Sequence, residues 1–161
     1  YGDTFRMPSS LITKQGTKIK DLKDPTKKMS KSEENSAGVI SLFDDLNAIH
    51  KKIMGATTDS DNAVYFDEEN KPGISNLLNI ASIMSGREVD DIAKEYRNSG
   101  YGNFKRYCAE VTVNKIKSIQ DRYNELIETG EIDKILKDGI EKSRLIAKEK
   151  CELVKERVGL I

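Results

Sequence analysis

A chain of 161 residues is long enough for one ordinary domain, or for one domain carrying a piece of another, and too short for a large multidomain enzyme. Lys+Arg and Asp+Glu both number 27, so no global charge announces a nucleic-acid partner and any such contact has to come from a local patch. With 34% charged residues, 6% aromatics and no Trp, the composition is that of a helix-rich soluble domain with charged outer faces.

Residues 1 to about 32 are rich in Gly, Pro, Ser, Thr and Lys and read as loops, with a brief extended piece around Thr17 to Leu22. They cannot bury a core alone. The chain opens on Tyr1 rather than Met, in the segment YGDTFRMPSS, which is the expectation for an excised C-terminal fragment. Val39 to Phe43 predicts a short strand or an entry turn. Asp44 or Asp45 then offers an N-cap to a helix carrying Leu46, Ile49 and Ile53 up to Gly55. Ala56 to Gly73 reads as a polar connection with a short extended piece at Val64 to Phe66. Ile74, Leu77, Leu78, Ala81 and Met84 follow helical spacing to a C-cap at Gly86, and Val89, Ile92, Ala93 and Tyr96 repeat it. After a break at Asn98 to Gly102, a long helix reaches Thr129 with Ala109, Val113, Ile116, Tyr123 and Ile127 on one stripe, and Gly130 ends it. The last helix, Glu131 to Arg157, would be roughly 40 Å long. Its stripe of Ile132, Leu136, Gly139, Ser143, Ala147, Cys151 and Val154 predicts a face closely approached by another helix, with Cys151 a small core residue. Four such helices with short connections imply an antiparallel bundle.

Cys108 and Cys151 stand far apart with no CxxC, and His50 is the single histidine, read as an exposed helix residue. A zinc site or His-based catalysis is not expected, and no metal site is assigned. No apolar run reaches transmembrane length and no signal peptide is visible, so the expected setting is cytoplasmic, with no membrane partner.

The densest chemistry lies in Asp24-Pro25-Thr26-Lys27-Lys28-Met29-Ser30-Lys31-Ser32. Lysines among small or flexible residues after a turn-forming Asp-Pro make a mobile cationic loop suited to phosphate oxygens. A solvated basic turn has the same composition. Lys28 and Lys31, three residues apart, can converge on one anion, while Ser30 and Ser32 add hydroxyl donors. DPTKKMSKS, KPGISNLLNI at residues 71 to 80 and GYGNFK at residues 100 to 105 together resemble, in order and approximate separation, the pattern of bacterial tryptophanyl-tRNA synthetases. The resemblance to this class I family covers close to the full 161 residues.

The resemblance implies a mainly α fold: an antiparallel helical bundle preceded by a short remnant of an α/β nucleotide-binding (Rossmann-type) domain. Residues 1–35 would be the tail of that domain with the KMSKS loop, and residues 36–161 a helical anticodon-binding domain. It implies part of an ATP-dependent, AMP-forming tryptophan–tRNA ligase, with Lys28 and Lys31 catalytic and Ile19, Lys28, Met29, Ser30, Lys31 and Ser32 binding ATP. Ile19 reads nearly as well as a strand residue packed on the missing domain. Expected partners are tRNA(Trp), ATP, tryptophan and Mg2+, with a homodimer for the intact enzyme. The elements that position nucleotide and tryptophan precede KMSKS in the family, so the fragment alone is expected to be inactive, to bind no cofactor and to be compatible with a monomer. The alternative is a non-catalytic helical RNA-binding or protein-interaction module.

Basic positions for RNA include Lys105, Arg106, Lys115, Lys117, Arg122, Lys142, Arg144, Lys148 and Lys150. Lys117 with Asp121 and Lys148 with Glu152 read as solvated helix pairs, whereas Lys115 and Lys150 lack an acid at helical spacing. Tyr101, Phe104 and Tyr107 are candidates for stacking on bases, with at least two expected in the core.

Overall fold

Asp45 starts the first helix, α1 (Leu46–Met54), because its carboxylate accepts the Ala48 amide at 3.0 Å and so satisfies a donor the helix leaves open. In the computed structural model, which describes residues 1–11, 18–30 and 36–161, four further helices follow: α2 (Pro72–Ser85), α3 (Val89–Tyr96), α4 (Tyr101–Thr129) and α5 (Glu131–Arg157). The fold is mainly α, a helical bundle, and the described residues contain one isolated antiparallel bridge, Lys20 with Lys28, and no longer strand. Gly86 and Gly130 end α2 and α4 in the left-handed region, at φ 72° and 67°, where a side chain would be strained. Val39 to Phe43 follows a 3-10 segment at Ser36–Gly38 and turns at Leu42 and Phe43, the turn option of its two sequence readings.

The residues divide into two compact units, one of Ile12–Asp121 and one of Tyr1–Leu11 with Arg122–Ile161. In the first, α2 is buried nearly all round. Polar Ser75, Asn76 and Ser82 lie inside along with Ile74, Leu77, Leu78 and Ala81. Ile49 and Ile53 of α1, Ile92 of α3 and Phe104, Cys108, Ala109 and Ile116 of α4 complete this core with Leu22 and Val64. Burial pushes the Cys108 thiol up to about 12, so it is a neutral core group. His50, expected to be exposed, is half-buried on α1.

In the second unit, Arg157 Nη1 donates to Tyr1 O at 3.0 Å and Lys150 Nζ to Thr4 O at 3.2 Å. α5 contains no buried residue, and Cys151 is exposed. This corrects the expectation of a closely approached face. Of its stripe, Ile132 and Val154 are half-buried and the rest exposed. Helical spacing decides which side chains share a face, but burial also requires a neighbour that covers it. The α4 stripe behaves likewise: it is buried at Ala109 and Ile116 and exposed at Tyr123 and Ile127.

One charged knot joins the starts of α2 and α4. Lys71, 2% exposed, sets its ammonium 2.9 Å from Asp59 Oδ1, 2.6 Å from Asp61 Oδ1 and 4.6 Å from the centre of the Tyr65 ring. It also donates to the Tyr101 hydroxyl at 2.8 Å, which in turn donates to Asp59 Oδ1 at 2.5 Å. Burial by itself disfavours the charged forms of Asp59 and Lys71. It raises the Asp59 carboxyl and lowers the Lys71 ammonium, but the bonds from Tyr101 and Lys71 hold Asp59 at about 2, and the bonds to Asp61, Tyr101 and Asp59 raise Lys71. Asp59 Oδ2 is buried without a hydrogen-bond partner.

Two outcomes follow from the knot. Lys71→Met strands two neighbouring carboxylates, and urea unfolding should show a loss of about 3 kcal/mol. Because the folded-state value of Asp59 lies below the ordinary 3.8, its contribution is complete above that pH and disappears as the pH falls towards about 2. Thermal unfolding across that window should therefore show an acid loss of stability that Asp59→Asn partly flattens.

Candidate functional site

The arms of the Lys-rich loop form a narrow two-arm ribbon. Met29 N–H donates to Ile19 O and Asp21 N–H to Lys27 O, both at 3.0 Å, on either side of the Lys20 and Lys28 pair. Asp24 closes the turn between the arms: its carbonyl accepts from Lys27 N–H at 3.0 Å and its carboxylate from the Thr26 hydroxyl at 2.5 Å. The Thr26 hydroxyl and then the Lys27 ammonium, 3.2 Å away, lower the Asp24 carboxyl below its usual range. Asp-Pro-Thr-Lys is thus a turn that holds itself.

The ribbon is tied to the helical core at its first arm. Leu22, 2% exposed, donates its N–H to Gly38 O at 2.9 Å and accepts from Thr57 N–H at 2.8 Å. Asp21, buried beside it, accepts the Lys23 and Asp24 amides at 2.7 and 3.0 Å. Its carboxylate fills the space over Gly38, where a Cβ would lie 1.9 Å from Asp21 Oδ1. From α2, Asn76 exchanges two bonds with one backbone residue: Lys20 N–H donates to Asn76 Oδ1 at 2.8 Å and Asn76 Nδ2 donates to Lys20 O at 2.9 Å. A surface cavity of ≈ 260 Å³ lies between ribbon and helix, lined by Lys20, Pro25, Thr26, Pro72, Ser75 and Asn76 among others.

Four of the sequence-selected positions come together here. Ile19 and Met29 are half-buried against the core, opposite each other across the ribbon, and Lys28, next to Met29 on the second arm, is exposed. Ser30 is half-buried at the end of the arm. Lys31 and Ser32 lie outside the described residues. Sequence reasoning missed Asp21, Gly38 and Asn76. Asn76 shares the stretch Ile74 to Ile80 with Ser75 and Asn79, so its residue type alone did not single it out. Among the described residues, no three His, Cys, Asp or Glu side chains gather as a metal site, and no helix is long and apolar enough to cross a membrane.

The RNA candidates separate by burial. Tyr101 and Phe104 are core residues. Tyr107 is half-buried, its ring stacked 4.9 Å from that of Tyr96 and its hydroxyl 3.2 Å from Arg87 Nη1. Lys105 donates to Ala56 O at 2.8 Å and Thr58 Oγ1 at 3.3 Å; burial, and then the charge of Lys23, lower its ammonium below its ordinary value. Lys117 pairs with Asp121 at 2.6 Å, and Lys150 donates to Thr4 O.

Residues 1–144 match the family described as tRNA synthetases class I (W and Y). The tryptophan–tRNA ligases of Bacillus subtilis (strain 168) and Bacillus anthracis are each 46% identical to the chain over 160 residues, which is 99% of this chain and 48% and 49% of theirs. The chain spans about half the length of the curated relatives it matches. The crystal structure of tryptophanyl-tRNA synthetase from Mycoplasma pneumoniae superposes with a TM-score of 0.85 at 33% identity, covering 96% of this chain and 47% of that one.

Gly38→Ala forces the Asp21 carboxylate off the backbone amides it accepts, so it should cost about 2 kcal/mol in urea unfolding. Amide exchange should accelerate first at Asp21, Lys23 and Asp24.

Proposed function

The chain belongs to the class I tRNA synthetases for tryptophan and tyrosine, and from that premise we propose that it is the KMSKS-bearing, C-terminal part of a tryptophan–tRNA ligase. Residues 1–35 would contribute the end of the nucleotide-binding domain, and residues 36–161 the helical domain that holds the tRNA(Trp) anticodon arm. The complete enzyme would activate tryptophan with ATP and transfer it to tRNA, as a cytoplasmic homodimer, with Mg2+ accompanying the nucleotide phosphates.

The observation that carries this reading is the ribbon. Its second arm leads through Lys28, Met29 and Ser30 directly into Lys31 and Ser32, and its first arm sets Ile19 opposite Met29. In the activation step the tryptophan carboxylate forms a bond to the α-phosphorus of ATP, and the bond to the β-phosphate oxygen breaks. Negative charge then grows on the departing pyrophosphate. Lys28 and Lys31 are compact cations on flexible stems that can follow those oxygens as they move. Ile19 and Met29 would offer apolar surface and backbone to the adenosine, and the Ser30 and Ser32 hydroxyls would donate to phosphate. A basic loop whose base is fixed to the helical core suits a leaving group that must be met at a set place.

Electrostatic stabilisation of this kind works on a nucleotide already positioned. The chain by itself is therefore expected to be inactive, with no saturable micromolar ATP affinity by calorimetry. In the complete ligase, Lys28→Ala or Lys31→Ala should reduce tryptophan-dependent ATP–pyrophosphate exchange by about a hundredfold. Exchange at the wild-type rate in both variants would sink the assignment and favour a non-catalytic helical module.

A further inference from the structure

We infer that Asn76 is a positioning residue for the ATP loop: its amide serves as the missing strand neighbour of Lys20 and thereby sets where the loop leaves the helical core. The inference rests on the ligase reading above.

In an antiparallel ribbon, successive residues turn their N–H and C=O groups to opposite edges. The bonds between the arms are made by Asp21 and Lys27 and by Met29 and Ile19. Lys20 therefore points its own N–H and C=O away from Lys28, at the outer edge of the ribbon. An edge left in this state is unsatisfied and free to slip. Asn76 meets both groups, with its oxygen 2.8 Å from Lys20 N and its nitrogen 2.9 Å from Lys20 O. A side-chain amide carries one acceptor and one donor side by side, as a backbone neighbour does, so the orientation of the amide is decided by the two groups it faces.

The helix end of the contact is equally fixed. Asn76 is 4% exposed and sits between Ser75 and Leu77, both buried, in the second turn of α2. Gly73, one turn earlier, lies so close to the Thr57 carbonyl that a Cβ would stand 2.1 Å from its oxygen. Thr57 N–H in turn holds Leu22 O, two residues along the same arm as Lys20. α2 thus reaches the first arm twice, directly through Asn76 and through the 57 backbone. A one-residue slip of the arm would turn the Lys20 groups away from Asn76, and the ribbon pairing would carry Lys28 with it.

Asn76 touches no substrate in this scheme, so its removal should act on ATP selectively. Asn76→Ala in the complete ligase is expected to lower kcat/KM for ATP in pyrophosphate exchange about tenfold while leaving the KM for tryptophan unchanged. Asn76→Asp keeps the volume and the acceptor but sets a carboxylate oxygen against Lys20 O; it should show the same split, and it answers the case in which the alanine variant fails to fold. Amide exchange of the present chain should speed up at Lys20, Asp21 and Met29 with α4 protection intact. Normal ATP kinetics in both variants, alongside an impaired Lys28→Ala control, would overturn the positioning role and leave the ligase reading standing. Exchange at the wild-type rate in both the Lys28→Ala and Lys31→Ala controls would overturn the ligase reading together with this inference. Protection lost equally across α2 and α4, with the tryptophan KM rising in step, would identify Asn76 as a structural residue only and also overturn it.

Discussion

The arrangement of the first unit depends on the burial of α2 on nearly every side. An amphipathic helix needs one neighbour, whereas α2 has to be enclosed, because polar Ser75, Asn76 and Ser82 lie inside along with Ile74, Leu77, Leu78 and Ala81. Each of these polar groups finds a partner on a different segment. Ser75 Oγ accepts from Asp67 N–H at 2.8 Å, Ser82 Oγ donates to Arg87 O at 2.6 Å, and Asn76 bonds to Lys20. The partners bring three otherwise irregular stretches against the helix: the ribbon, the 57–71 connection and the turn into α3. A segment with little apolar content of its own is ordered here by the helix it touches.

Two kinds of polar burial serve different ends in this unit. The Lys71 knot is ionic and mutually satisfied apart from one oxygen of Asp59, and it joins the entries of α2 and α4. Breaking such a knot is costly, while its net contribution relative to an apolar core is small, so its main effect is to specify which ends meet. The Asn76 contact is neutral and faces backbone, and backbone geometry is what a loop's direction depends on. Placing an amide rather than a lysine or carboxylate there holds Lys20 without adding a charge beside a loop whose proposed work is electrostatic.

Much of the helical layout was legible in the chain. The Asp45 cap, the stops at Gly86 and Gly130 and the pair Lys117 with Asp121 are local signals, decided within four residues, and each appears where the spacing puts it. The two stripes that failed, on α5 and on the second half of α4, needed a covering neighbour that spacing alone does not supply. The site was half legible. The motif letters pointed to the loop, but Asp21, Gly38 and Asn76 carry no distinctive local pattern, since their importance comes from residues 17 to 56 positions away.

By itself the sequence determined the helix limits, the cationic loop and, through its resemblance to a synthetase family, the chemistry to look for. These follow from caps, periodicity and residue type, all of which act over short range. The tertiary structure decided which apolar faces are covered, that Lys71 is a buried ion and not a surface one, and that an asparagine on a core helix holds the base of the loop. Those outcomes depend on where unsatisfied backbone and charged groups from distant segments find partners, and only the folded chain brings those partners together.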